Sequence, residues 1–290
     1  MIKFDGRKFA QKKEEDLREK IKRLGERERS LKLVDILVGE DKASYLYVTL
    51  KKKAAQRVGI NFRIIKLEAS VGRETLLNLV KKLNKDPAVG GILFQLPLPD
   101  QLRKQQFEII NTIDYKKDVD CLTTRRLGCV LAGKAKILPA TVKAVGQILR
   151  QAGYSKESIK GESVCILGRS SLVGQPLANW LINLGATVMV GHSKTKDLTQ
   201  LTRQAKIIIS ATGKTNLIKA DMVKRGAVVI DVGSPHGDVD FVPVMSKVSF
   251  ITPVPGGVGP VTVVSLLENF VMNIACHVPN RKNNLSPLLF

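Results

Sequence analysis

Aromatic side chains are scarce: one Trp, four Tyr and nine Phe make up 5% of 290 residues. They do not interleave with the basic residues, which argues against a stacking platform for single-stranded nucleic acid. The four cysteines (Cys121, Cys129, Cys165, Cys276) form no C-x-x-C pair, and the three histidines (His192, His236, His277) are scattered. That distribution offers no metal cluster, so no metal is expected, and reduced, mostly buried thiols are. No apolar run approaches the roughly 18–20 residues that span a bilayer. The N-terminal MIKFDGRKFAQKKEEDLREKIKRL is charged throughout and lacks the apolar centre of a signal peptide. A cytoplasmic protein without membrane contact is expected. Acidic residues are also few, 26 against 47 Lys and Arg, for a net charge of +21. Such an excess permits nucleic-acid binding by counterion release or steering of an anionic small molecule. A generally lysine-rich surface explains it as well, since the basic residues are spread along the chain.

What is present is an alternation. A polar helical pattern near 9–28 leads to the apolar LKLVDILVG, then a helix through ASYLYVTLKKKAAQRVG. INFRIIKL reads as a strand, RETLLNLVKKLNKD as a helix and VGGILFQLPLP as a strand. A helix in ATVKAVGQILRQAG precedes a second alternation: ESVCILG, SLVGQPLANWLINLG, ATVMVG, TKDLTQLTRQ, AKIIISATG and GAVVIDVGS. Strands alternating with helices predict an α/β protein with mostly parallel sheets. The expected organisation is two α/β domains flanking a cleft. The first comprises residues 1–138 plus 262–290; the second, 139–261, is Rossmann-like, and a C-terminal helix at 260–276 returns to the first.

Several stretches could carry chemistry. Tyr47 and Lys51 stand four apart on one helical face. A lysine among apolar neighbours suits proton transfer, although a snorkelling lysine fits the pattern too. Gln95 ends an apolar strand, where ligands bind in open α/β sheets. Asp118 and Asp120 follow a turn, and Asp118 reads as a structural cap. CILGRSSLVGQPLANWL reads as strand, tight turn and helix start, a seat for a pyrophosphate, but its spacing is not G-x-G-x-x-G and a plain turn competes. The next strand ends in Gly191, His192 and Ser193, with no carboxylate to accept from a ribose 2′-hydroxyl. With Arg169 nearby, that favours NADP over NAD; His192 itself reads equally as a satisfied surface histidine. ITPVPGGVGPVTV is either a sharp loop capping a core helix or a backbone-lined cleft wall.

Taken together, VGEDKASYLYVTLKKKAAQRVGI, GGILFQLPLP, KDVD, GRSSLVGQP, GHSKT, IDVG, GDVDF and TPVPGGVGP resemble the bifunctional 5,10-methylenetetrahydrofolate dehydrogenase/5,10-methenyltetrahydrofolate cyclohydrolase family along nearly the whole chain. The resemblance implies NADP-dependent oxidation of the one-carbon bridge and hydrolysis of the product to 10-formyltetrahydrofolate. It implies Lys51 as the catalytic lysine, hydrogen-bonded by Gln95, with Tyr47 against the folate ring and Asp120 holding the pterin. Leu96, Pro255, Gly256 and Gly257 would complete the substrate wall. Gly168, Arg169, Ser170, Ser193, Ser234 and Gly259 would meet NADP. Tetrahydrofolate derivatives are the implied partners, with polyglutamate tails among the forms the basic surface suits and a homodimer through the cofactor domain.

The chain departs from the family pattern at Cys121 for the glycine of KDVDG, in the missing proline just before that motif in DYKKDVD, at Ala140 and Val142 in PATV for PCTP, and at Ser234 for a common isoleucine. Cys121 would disturb the pterin site if its backbone needs positive φ. These departures leave room for a member with only one activity. A basic nucleic-acid-binding protein is the more distant alternative.

Overall fold

The computed structural model of the protein describes residues 1–276. His277 and positions 277–290 of the expected first-domain segment lie outside the described residues.

Two parallel sheets carry the chain. The smaller has the order β3-β2-β4, from β2 (Lys32–Val38), β3 (Asn61–Leu67) and β4 (Val89–Phe94). Alternation along β2 sends Leu33 to one core and Val34 and Ile36 to the other. The first core is covered by α1 (Gly6–Lys22), α2 (Lys42–Val58) and α7 (Val258–Cys276). The second is covered by α3 (Arg73–Lys85), whose Leu76, Leu77, Val80 and Leu83 repeat at helical spacing. Two of the longer helices after a strand start on a side-chain cap: Asp5 accepts from Lys8 N at 3.0 Å and Asp41 from Ser44 N at 2.7 Å.

The larger sheet has six strands in the order β1-β9-β8-β7-β5-β6. Its members are β1 (Ile2–Lys3), β5 (Ser163–Leu167), β6 (Thr187–Gly191), β7 (Ile207–Ser210), β8 (Val228–Asp231) and β9 (Phe250–Ile251). Helices α4 (Ala140–Gln151), α5 (Gly174–Asn183) and α6 (Leu198–Gln204) accompany it. β1 was not legible in the sequence, and it crosses the expected division of the chain. Ile2 pairs with Phe250 and Lys3 with Ile251, and Phe4 joins the core of the second sheet.

α7 corrects one reading of the sequence. Val258–Ala275 is long and apolar enough to cross a membrane by composition, yet 72% of that window is buried inside the protein. It is the core helix that ties the two halves. Lys143 on α4, only 4% exposed, pairs with Glu268 on α7 at 3.0 Å. Asn269 on α7 donates to Val119 O at 3.1 Å and Leu138 O at 2.7 Å.

Candidate active site

Lys51 projects from α2 toward the face of β2 that also carries Leu33. There it meets Asp35, a carboxylate with no solvent exposure, at 2.9 Å. Burial pushes the Asp35 carboxyl up, opposed by the Lys51 charge. The Asp35 Oδ1 atom is buried without a hydrogen-bond partner. Asp35 was not singled out in the sequence, although a lone acid inside LKLVDILVG was a usable signal. A buried carboxylate needs a reason, and here Lys51 is that reason.

The expected Gln95–Lys51 hydrogen bond is absent, which corrects that reading. Gln95 Nε2 donates to its neighbour's carbonyl, Leu96 O, at 2.9 Å, and Gln95 Oε1 is buried with no partner. The carboxylate of Asp35 attracts the ammonium more strongly than a neutral amide does. Asp35 Oδ1 and Gln95 Oε1 are thus two buried acceptors at the site left for a donor on a ligand or water.

Asp120 reaches the same region by a different route. Ile92 N donates to Lys117 O at 2.8 Å, and Ile92 bridges Asp118, which lays the 114–120 segment beside β4. Asn269, from α7, holds the Val119 carbonyl. It is a positioning residue missed in the sequence, where an amide inside the apolar SLLENFVMNIA was the available cue. Asp118 is a cap, as expected: its carboxylate accepts from Thr123 N at 2.8 Å and Leu122 N at 3.2 Å. Asp120 is pushed up to about 6, chiefly by burial. The Lys51 charge and the Ala140 backbone N–H pull the other way, while Asp118 and Asp35 add to the rise.

Cys121 adopts φ 61°, so the position does require left-handed backbone. Its buried thiol lies 3.4 Å from Ile137 O, and burial raises its pKa well above the ordinary thiol value. Cys121→Gly should therefore be more stable than Cys121→Ala by about 1 kcal/mol, reversing the usual order of glycine and alanine. Denaturant unfolding of the two variants checks this; alanine at least as stable as glycine refutes it.

The second domain brings its strand ends to the other side. At the β5–α5 turn Gly168 has φ 109°, and a Cβ there would collide with the Ala211 carbonyl. A Cβ at Gly174 would collide with Gly168 O, so this glycine, not among the expected cofactor residues, is needed for the close backbone approach. Ser170 Oγ accepts from Val173 N at 3.2 Å. Arg169, Ser170 and Ser193 are exposed at the C-terminal ends of β5 and β6, beside the start of α5. His192 Nδ1 accepts from Lys194 N at 3.1 Å, which supports its local reading. The glycine-bounded turn, the helix N-terminus and the absence of a carboxylate at the β6 end fit a dinucleotide with a phosphorylated ribose.

A cleft of about 690 Å³ separates α1 and α2 from the loops after β8 and β9. Tyr47, Ser234, Gly259 and Pro255–Gly257 line it, whereas Lys51, Gln95 and Asp120 do not. Its α2 wall is Leu46, Leu50, Ala54 and Arg57, the stripe next to the Tyr47–Lys51 stripe. Tyr47 belongs to both. Gly256 has φ 101°, and a Cβ at Gly6 would collide with Gly256 O and Gly257 O, so the proline-glycine loop lies directly on the start of α1. It both begins the core helix and walls the cleft. Across that cleft the Tyr47 and Ser234 hydroxyls meet at 2.6 Å.

Comparison with known proteins agrees with this layout. Residues 4–120 match the family model described as tetrahydrofolate dehydrogenase/cyclohydrolase, catalytic domain, and residues 139–278 that of its NAD(P)-binding domain. The chain is 44% identical over 274 residues to the bifunctional protein FolD of Lactobacillus acidophilus, covering 92% of this chain and 95% of the relative. It is 39% identical over 275 residues to that of Bacillus subtilis, with the same coverage. Among solved structures, the bifunctional FolD of Campylobacter jejuni superimposes with TM-score 0.88 at 41% identity, covering 94% of this chain and 98% of that one. The Trypanosoma brucei methylenetetrahydrofolate dehydrogenase-cyclohydrolase, complexed with NADP and an inhibitor, gives TM-score 0.90 at 36% identity, covering 96% and 99%.

Proposed function

The chain belongs to the tetrahydrofolate dehydrogenase/cyclohydrolase family, and on that premise we propose how its residues divide the work. The enzyme oxidises 5,10-methylenetetrahydrofolate to the 5,10-methenyl cation and hydrolyses that cation to 10-formyltetrahydrofolate, with NADP as cofactor. NADP⁺, when bound, takes the hydride. Gly168 and Gly174 allow its pyrophosphate onto the start of α5, and Arg169, Ser170 and Ser193 supply donors for its phosphates.

Asp120 accepts from the pterin's amino group and ring N–H, fixing the ring against Tyr47. Hydrolysis requires water oxygen to bond to the methenyl carbon and to lose both its protons as the formyl carbonyl forms, while the carbon–N5 bond breaks, one proton goes to N5 and the other leaves to solvent. The Lys51–Asp35 pair is the proton-carrying pair for that exchange. Burial favours a proton on Asp35 and the adjacent ammonium disfavours it, so small changes in the site redistribute it. Gln95 Oε1 offers an acceptor to the incoming water. The single observation carrying this reading is the 2.9 Å Lys51–Asp35 pair, buried within electrostatic reach of Asp120.

A homodimer through the cofactor domain is supported by β6, an edge strand of its sheet, with Val190 40% and Ile182 56% exposed nearby. A sedimentation mass of one chain would contradict it. The net charge suits a polyglutamylated folate tail, and a cytoplasmic location accords with such substrates. If salt weakens binding of the polyglutamate and monoglutamate forms equally, the tail is not read electrostatically.

The function is tested by following methenyl absorbance and NADPH separately in one preparation. Methenyl formation should depend on NADP⁺ far more than on NAD⁺, and added methenyltetrahydrofolate should be hydrolysed without either. Turnover of only one step by folded protein would reduce the chain to a single activity. Equal use of NAD⁺ would remove the role given to Arg169 and Ser193.

A further inference from the structure

The Tyr47–Ser234 contact joins two residues that sequence reasoning had assigned to different ligands, Tyr47 to the folate ring and Ser234 to the nicotinamide end. Their hydroxyls lie 2.6 Å apart, a short hydrogen bond in which either oxygen can donate. Tyr47 sits one helical turn before Lys51 on α2. Ser234 sits three residues beyond β8, on the facing wall of the cleft.

The loop that presents Ser234 is heavily braced. Asp231, 2% exposed, accepts from Gly233 N at 2.8 Å, Asp238 N at 3.1 Å and Val239 N at 2.9 Å. Asp238, fully buried, accepts from Ser210 Oγ at 2.7 Å, Thr212 N at 2.7 Å and Thr212 Oγ1 at 2.9 Å. Side chains at Gly233 or Gly237 would run into these carboxylates. The Tyr47 side is less constrained. Its helix is anchored by Val48 and Ala55, but Tyr45, Leu46 and Leu50 on neighbouring faces are exposed. The rigid partner is therefore Ser234, and the adjustable one is the Tyr47 ring. Isoleucine, common in the family at this position, could make no such bond.

We infer that Ser234 is a positioning residue: its hydroxyl holds the Tyr47 phenol and so registers the folate platform of the first domain against the cofactor loop of the second. The inference rests on the two-activity reading above. Hydride transfer needs both walls in register, because donor and acceptor carbons belong to ligands on opposite domains. Hydrolysis needs only the Lys51 wall. Loss of the bond should therefore act unequally on the two steps.

The test compares Ser234→Ala, Ser234→Thr, Tyr47→Phe and the Ser234→Ala/Tyr47→Phe pair, at saturating NADP⁺ and in hydrolysis of added methenyltetrahydrofolate. Ser234→Ala and Tyr47→Phe should each lower the ratio of dehydrogenase kcat to hydrolase kcat about tenfold, the worth of one hydrogen bond. The paired variant should fall no further than either single one, and Ser234→Thr should restore the ratio. An unchanged ratio, additive losses, or a change confined to the KM for NADP⁺ would overturn the proposal. If the parent protein lacks one activity altogether, the two-step reading fails first, and that outcome is visible before any variant is made.

Discussion

Lys51→Met should lower hydrolysis of methenyltetrahydrofolate by about 10²–10⁴-fold, the usual contribution of a positioned proton-transfer group. The same substitution strands Asp35. That carboxylate has no exposure and one partner, Lys51, which is itself only 12% exposed. Breaking a buried pair from one side costs about 3 kcal/mol or more, because the remaining charge stays desolvated. A loss of activity in the single variant could then be ascribed to unfolding. The pair Asp35→Asn/Lys51→Met separates the two effects. Replacing both charges should recover most of the stability in a urea titration while leaving hydrolysis as low as in Lys51→Met. Recovery of hydrolysis in the pair would mean that the ammonium has no part in moving protons.

Asp120→Asn should trade function for stability in the same step. The carboxylate would make charge-assisted hydrogen bonds to the pterin, worth about 1.5–3 kcal/mol each, so the folate KM should rise about 10- to 100-fold or more. Yet the carboxylate is costly to the folded state, since its pKa rises from 3.8 to about 6 on folding. A raised carboxyl pKa means that folding takes up a proton between those values. Stability from this group is therefore full below about pH 4, falls as the pH rises to about 6, and stays reduced above it. At pH 7 the asparagine variant should be more stable by about 3 kcal/mol, and the advantage should vanish below about pH 4. Binding has the opposite slope. In the role proposed for Asp120 the ionised form holds the pterin, so affinity should weaken about tenfold per pH unit below about 6, and Asp120→Asn should flatten that limb. An unchanged KM would remove Asp120 from the pterin site, and a variant less stable at pH 7 would show that burial does not penalise this carboxylate.

Much of this was legible in the chain because periodicity survives in local sequence. The longer strands and helices announce themselves by apolar runs and three-to-four spacing. The i, i+4 relation of Tyr47 and Lys51 is a property of one helix. The chemistry that escaped is long-range. Asp35 and Lys51 are 16 apart, Tyr47 and Ser234 187, and Asn269 and Val119 150. No local pattern encodes such meetings; packing of α2 and α7 on the small sheet creates the first and last, and the approach of the loop after β8 to α2 creates the second. Lys51 therefore came with the wrong expected partner, Gln95, when a carboxylate buried in the adjacent strand outcompetes an amide. Two-residue strands such as β1 and β9 are below any periodicity, and Cys121 gave no sign of its backbone beyond standing where the family keeps glycine. The apolarity of α7 was visible, but its depth in the core depends on both domains being present.

The place of β1 fixes a timetable. A ribosome emits Ile2 and Lys3 long before their partners, Phe250 and Ile251. Until then the cofactor sheet ends at an unfinished strand, and the first-made edge has nothing to bind. The catalytic half can collapse around β2 early, but the β1 segment must wait unpaired until β9 has emerged. A cut near residue 139 would leave one fragment carrying an orphan strand and the other an open seam.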